Sequence, residues 1–327
     1  MSHPLLAAEA VELATVSRSG FDESRHIGAA VVVSSDGSVA RELGNGDALI
    51  FGRSSLKLFQ AIAVLRAGVA LEGAQLVVAS ASHGGTVDHL RIVEQLLARA
   101  GVGADALQCP IDWPLDGTAR HASTAPSRLQ MNCSGKHAAF LLACATNGWP
   151  TESYLEQTHP LQRLIRSTIE EFTGETIDRV GVDGCGAPVF ATTLRGLATA
   201  VGRVGSATAS SGDQNAARLS AAIRDNAWAI DGVGRPNTVA IEELGIVAKG
   251  GAEGVMVMGL PDGTAVALKI LDGGARAATL VAIELLASVG AVARPDADRV
   301  IALTTDDVLG GGVPVGRLRA SDLVLGR

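Results

Sequence analysis

The chain has 327 residues, 47% of them hydrophobic, and a formal net charge of −7. That is length enough for a sizeable core, and an acidic balance without a basic run excludes phosphate-backbone binding, which needs clustered Lys and Arg. The longest apolar runs, such as 138–145 and 279–289, fall short of the roughly 18 residues of a membrane span, and the start Met1-Ser2-His3-Pro4 lacks a signal peptide's basic, then apolar, pattern. A cytoplasmic location is expected.

The first fifty residues read as β-rich. Runs at 26–34 and 37–42 are split by Ser35-Asp36-Gly37, a hairpin signal. A short apolar run at 48–51 leads into Arg53-Ser54-Ser55. From Ser54 the apolar spacing becomes helical and runs to about Gly68, with Ser54 or Ser55 able to cap the helix. A strand-like run from Gln75 ends in the polar turn at Ser80. The stretch 73–235 is otherwise mainly helical, with helices expected at 88–100, 136–146, 159–172, 189–200 and 214–229 and a loop at 204–213. Strands return at 245–249, 254–260 and 264–271, with Pro261-Asp262-Gly263 as a turn. A helix at 276–289 follows. The last thirty residues carry little signal, and Gly310-Gly311-Gly312 reads as a mobile turn.

Three constellations carry chemistry. In Ser54-Ser55-Leu56-Lys57, the first and last residues share one face of a helix start. A serine needs an adjacent base, and a lysine serves only where burial or a nearby cation lowers its pKa. The bland alternative is a capped helix with a solvated lysine. Lys249-Gly250-Gly251 on a late strand completes a layout like the S-x-x-K and K-T-G pair of serine β-lactamases and penicillin-binding proteins, although S-D-N is missing. In Ser80-Ala81-Ser82-His83-Gly84-Gly85, small residues free backbone N–H groups for an oxyanion, or simply form a turn. Finally, Cys133 and Cys185 each sit in a Gly-containing polar loop, whereas Cys144 lies in an apolar helix. The two thiols fit zinc binding, inert burial, or, for Cys133 beside His137, a nucleophile.

The segments 53–57, 81–85, 132–138, 182–188 and 249–254 together resemble the rhizobial-type L-asparaginases, in the same order and at similar intervals over nearly the whole chain. The resemblance implies an α/β (α+β) fold similar to serine β-lactamases and glutaminases: an antiparallel sheet with an inserted helical lobe. The order of strands, helical middle, strands and helix itself reads as one domain, with a sheet lobe at 1–72 and 236–327 and a helical lobe at 73–235. The resemblance implies hydrolysis of the side-chain amide of L-asparagine by two Ser–Lys pairs, Ser54 with Lys57 and Ser82 with Lys249, Ser54 being the preferred nucleophile. A zinc site is implied at Cys133, Lys136 and Cys185, with Asp183 nearby, to orient substrate rather than supply hydroxide. Arg53, His83, His137, Asp183 and Glu253 are the substrate-binding candidates. A homodimer with a small-molecule substrate is also implied, with neither nucleic acid nor membrane as partner. The chain departs from the family pattern at Gly250, where threonine is expected, and at Gly84, where asparagine is common. A lactam or peptide hydrolase and a non-catalytic zinc-containing binding protein are the competing readings.

Overall fold

The computed structural model describes residues 3–327. In chain order the strands are β1 (Val11–Arg18), β2 (Phe21–Val33), β3 (Val39–Leu43), β4 (Leu49–Phe51), β5 (Val180–Val182), β6 (Pro188–Thr193), β7 (Val247–Gly251), β8 (Val255–Gly259), β9 (Ala265–Ile270), β10 (Val308–Gly310) and β11 (Val313–Ala320). The helices are α1 (Lys57–Arg66), α2 (Gly73–Ser80), α3 (Val87–Ala100), α4 (Gly117–Ala122), α5 (Ser134–Asn147), α6 (Pro160–Thr173), α7 (Leu194–Ser206), α8 (Gln214–Asp225), α9 (Trp228–Asp231), α10 (Pro236–Leu244), α11 (Ala278–Ser288), α12 (Arg294–Thr304) and α13 (Asp322–Leu325). They fall into two compact units.

The sheet unit takes the chain up to Ser55, then Thr192–Ser206 and Val239–Arg327. Among the described residues its sheet runs β10-β11-β1-β2-β9-β8-β7, with β3 also on β2. All these pairings are antiparallel. Successive side chains on a strand point to opposite faces, and β8 is buried at every residue, so both of its faces are covered. The helices packed on it are α7 and α11. Close approach of α7 depends on glycine. A Cβ at Gly202 would lie 2.5 Å from the Gly263 carbonyl oxygen, and one at Gly259 would lie 2.5 Å from that of Val201.

The helical unit comprises Leu56–Ala191 and Ala207–Thr238. Its centre is α1, buried from Lys57 to Leu65 and packed on α2, α5, α6 and α8. Helix α5 is buried from Ser134 to Cys144. Its start lies against α2, where a Cβ on Gly135 would meet the Val78 carbonyl oxygen at 2.6 Å.

Several elements differ from the sequence expectations. The run from Gln75 is helical, because its Leu76, Val77 and Val78 are buried among helices; packing overrides β propensity. The helix expected at 189–200 is a strand, β6, followed by α7, with the Thr193 hydroxyl accepting from Gly196 N at 2.9 Å at the junction. Helix α7 packs on the sheet and runs into the expected loop. Ser54 and Ser55 do not cap α1, whose N-cap is Leu56; they lie in the 3-10 turn Arg53–Leu56. The last thirty residues carry the end of α12, β10, β11 and α13, with Gly311 and Gly312 at positive φ of 58° and 83°. Only glycine takes that pair of conformations freely, and it makes a tight hairpin turn between β10 and β11.

Candidate active site

The 3-10 turn Arg53–Leu56 leads directly into α1. Arg53 has φ 51°, an uncommon conformation for a residue with a Cβ. The Ser55 hydroxyl is buried and donates to the Gly52 carbonyl at 2.6 Å. Ser54 beside it is half-buried, and among the described residues nothing hydrogen-bonds its hydroxyl. Lys57 opens α1 and is only 1% exposed. Its Nζ donates to the Ala81 carbonyl at 2.7 Å and to the Ser82 hydroxyl at 3.0 Å. Both partners are neutral. The sequence paired Lys57 with Ser54, whereas the hydroxyl that its amine reaches in the structure is Ser82.

Ser82 arrives there because α2 ends at Ser80 and the chain turns extended at Ala81. The next residues have no regular structure, so their polar groups find partners elsewhere. Ser82 N donates to the Ile230 carbonyl at 3.1 Å, His83 N donates to that of Asn132 at 3.1 Å, and Asp116 N donates to that of Gly84 at 2.8 Å. Gly84 sits tightly: a Cβ there would be 3.0 Å from the Asp231 carbonyl oxygen.

A second cluster lies at the start of α5. Lys136 Nζ donates to Cys185 Sγ at 2.9 Å, and both are buried. Cys185 is held in the turn after β5, where Gly186 N returns to the Asp183 carbonyl at 2.8 Å. A hydrogen bond from Cys133, with the Lys136 ammonium and His137 behind it, outweighs burial and holds the Cys185 thiol far below its ordinary value. The same bond, with burial, pushes Cys133 well up. Burial pulls Lys136 down, but Cys185, Cys133 and Asp183 outweigh it and keep it protonated. Cys133 Sγ lies 2.9 Å from Asn132 Oδ1, and Asp183 Oδ2 lies 3.9 Å from Cys185 Sγ.

The remaining candidates have distinct settings. His83 is fully buried, 2.9 Å from the Ser134 hydroxyl and stacked on His89 with ring centroids 5.2 Å apart. His137 is equally buried, with Nδ1 2.7 Å from the Tyr154 hydroxyl. Both rings are closed off from solvent and engaged by internal partners. In the sheet unit, Lys249 is fully buried on β7 and donates to the Gly250 carbonyl at 2.7 Å. Glu253, in the turn after β7, also has a positive φ of 62° and lies 3.8 Å from the Arg53 guanidinium. Tyr154 and Ser134 were given no role from sequence. The signal for Tyr154 was its being the chain's single tyrosine.

The structure thus brings together Lys57 with Ser82, Lys136 with Cys133 and Cys185, and Arg53 with Glu253. The first pair can move a proton between a buried amine and a hydroxyl. Residues 14–320 match the family model for L-asparaginase II. The chain belongs to the L-asparaginase II family. This family member is an amidohydrolase of a small-molecule substrate. Among solved structures, a β-lactamase from Mycobacterium bovis is similar with 15% identity and a TM-score of 0.42, over 84% of this chain and 94% of that one. Mglu in its native form is similar with 14% identity and a TM-score of 0.39, over 80% of this chain and 63% of that one. The amidohydrolase therefore spans under two thirds of the Mglu chain. No curated protein matches the chain in sequence. No helix among the described residues is long and apolar enough to cross a membrane.

Proposed function

We propose that the chain hydrolyses the side-chain amide of L-asparagine to L-aspartate and ammonia through a serine whose proton passes to Lys57. The observation that carries this reading is the 3.0 Å contact between the Lys57 amine and the Ser82 hydroxyl. A lysine amine within hydrogen-bond reach of a serine hydroxyl is the pairing that Ser–Lys proton transfer uses. Attack is assigned to Ser54, three residues before Lys57 and free of hydrogen bonds among the described residues. Its oxygen bonds to the amide carbon as its proton goes to the Lys57 amine. The C–N bond then breaks, and the proton passes from Lys57 through the Ser82 hydroxyl to the departing nitrogen, which leaves as ammonia. Water next adds to the aspartyl ester, gives its proton to Lys57, and the serine leaves with that proton as aspartate is released. Lys249 is assigned as the second amine of the Ser–Lys pairs.

Zinc belongs to this reading as well. Among the described residues no three of His, Cys, Asp and Glu gather around one point, so a protein site needs the lysine. Two sulfurs and one nitrogen, buried and adjacent, are a donor set that suits zinc once Lys136 loses its proton. Cys133, Lys136 and Cys185 would hold the ion, and the bound charge would orient the substrate. Elemental analysis is expected to give about one zinc per chain, and the double variant Cys133→Ser, Cys185→Ser is expected to lose it. Full zinc content in that variant would remove these ligands from the reading.

The nucleophile is tested by acid-quenching the enzyme during turnover of L-asparagine and locating the aspartyl ester by peptide mass spectrometry. The ester is expected on Ser54. Ser54→Ala should lose the ester, while Ser82→Ala should form the ester on Ser54, and release ammonia with it, roughly 100-fold more slowly. An ester on Ser82 would reverse the two roles, and unchanged ammonia release by Ser54→Ala would end the assignment.

A further inference from the structure

Ser82 sits in a segment that neither helix nor sheet holds. The backbone ties of Ser82, His83 and Gly84 fix the chain path, and the His83 side chain adds one more. The Ser134 hydroxyl donates its single proton to the Leu129 carbonyl at 2.7 Å. It can therefore only accept from His83, whose Nε2 lies 2.9 Å away. That places the imidazole proton on Nε2 and leaves Nδ1 as a bare lone pair. Among the described residues Nδ1 is buried with no partner. The other tautomer would be worse. It would turn an unpaired lone pair into an unpaired N–H, and would set a bare Nε2 against a hydroxyl with no proton left to give.

Burial is the main reason the ring resists a second proton, and His89 and Lys57 add to it. His89 is itself held by the Thr86 hydroxyl, 2.8 Å from its Nδ1, and packs at a tilt against Trp228 with centroids 5.3 Å apart. Neither His83 nor Ser134 has any solvent exposure, so neither is placed to touch a substrate.

We propose that Ser134 and His83 are positioning residues for the active site: Ser134 locks His83 as the Nε2–H tautomer, and the anchored ring fixes the backbone that presents Ser82 to Lys57. The importance for turnover rests on the role given to Ser82 above, but the tautomer does not.

The test is a long-range proton–nitrogen correlation spectrum of full-length protein with 15N-labelled histidine rings. The His83 signals are assigned by their loss in His83→Gln. The expected wild-type pattern is Nε2–H with a bare Nδ1. Ser134→Ala is expected to give a mixture of tautomers, with kcat for L-asparagine falling about 10- to 100-fold at nearly unchanged KM. Ser134→Thr, which keeps the accepting oxygen, is expected to retain the wild-type tautomer and most of kcat. A wild-type His83 protonated at Nδ1 would overturn the proposal, as would a Ser134→Ala enzyme with wild-type tautomer and kcat. The spectrum reads the tautomer even if wild type releases no ammonia, a result that would overturn the proposed function instead.

Discussion

His83 and His89 are both buried, and burial is the first cause that lowers their pKa from 6.5. In the unfolded chain both rings regain the ordinary value, so as pH falls the unfolded state binds protons first. Stability is complete above about pH 6.5 and is lost below it. Urea denaturation is expected to show a lower midpoint at pH 5.5 than at pH 7.5, and His89→Gln should shrink the difference. Equal midpoints would mean that the rings accept protons within the fold. At this scale the sequence was informative about residue types and less so about their partners. Cys133, Lys136 and Cys185 were grouped by the family resemblance and not by their spacing, and they are adjacent. The contact of Lys57 with Ser82 could not be read, because it spans 25 positions and depends on where α2 ends. The settings of His83 and His137 were hidden for the same reason, since burial is set by residues distant in sequence.

Strand β2 passes so close to β9 that a Cβ on Gly28 would lie 2.0 Å from the Lys269 carbonyl oxygen. No rotamer relieves a clash at Cβ, so the backbone must move. Gly28→Ala is expected to cost about 2–3 kcal/mol in urea denaturation, whereas Gly117→Ala, with nothing within 4 Å of the new carbon, should be nearly neutral. Equal effects would contradict the close packing of the two strands. Strongly patterned elements were legible: the expected helix at 88–100 is α3, and the three late strands are β7, β8 and β9. The failures share a physical cause. Around Gln75 and at 189–200, short apolar runs carry no period that separates a buried strand from a buried helix. Pro295 in the first turn of α12 and the paired glycines at 311 and 312 were usable signals in the last thirty residues.

Both ends of the chain meet in one sheet. Strand β1 pairs with β11 from Ala14↔Ala320 to Arg18↔Gly316, and Ser321 N donates to the Leu13 carbonyl at 3.0 Å. Removal of residues 308–327 would leave β1 as an unpaired edge, so the truncated chain is expected to be much less stable and prone to aggregate; an unaltered melting transition would contradict the strand order. That order, unlike the presence of strands, is not written in local pattern, because pairing partners lie up to 306 positions apart. The antiparallel sheet and the helical insertion were legible in the change of period along the chain and in the ordered motifs. The proposed chemistry turns on one amine, Lys57, buried against a serine hydroxyl. Ammonia release from L-asparagine by Lys57→Met, alongside wild type of equal zinc content and equal melting temperature, tests it most directly. A loss of roughly 100-fold or more in kcat is expected, and turnover at the wild-type rate would contradict the account.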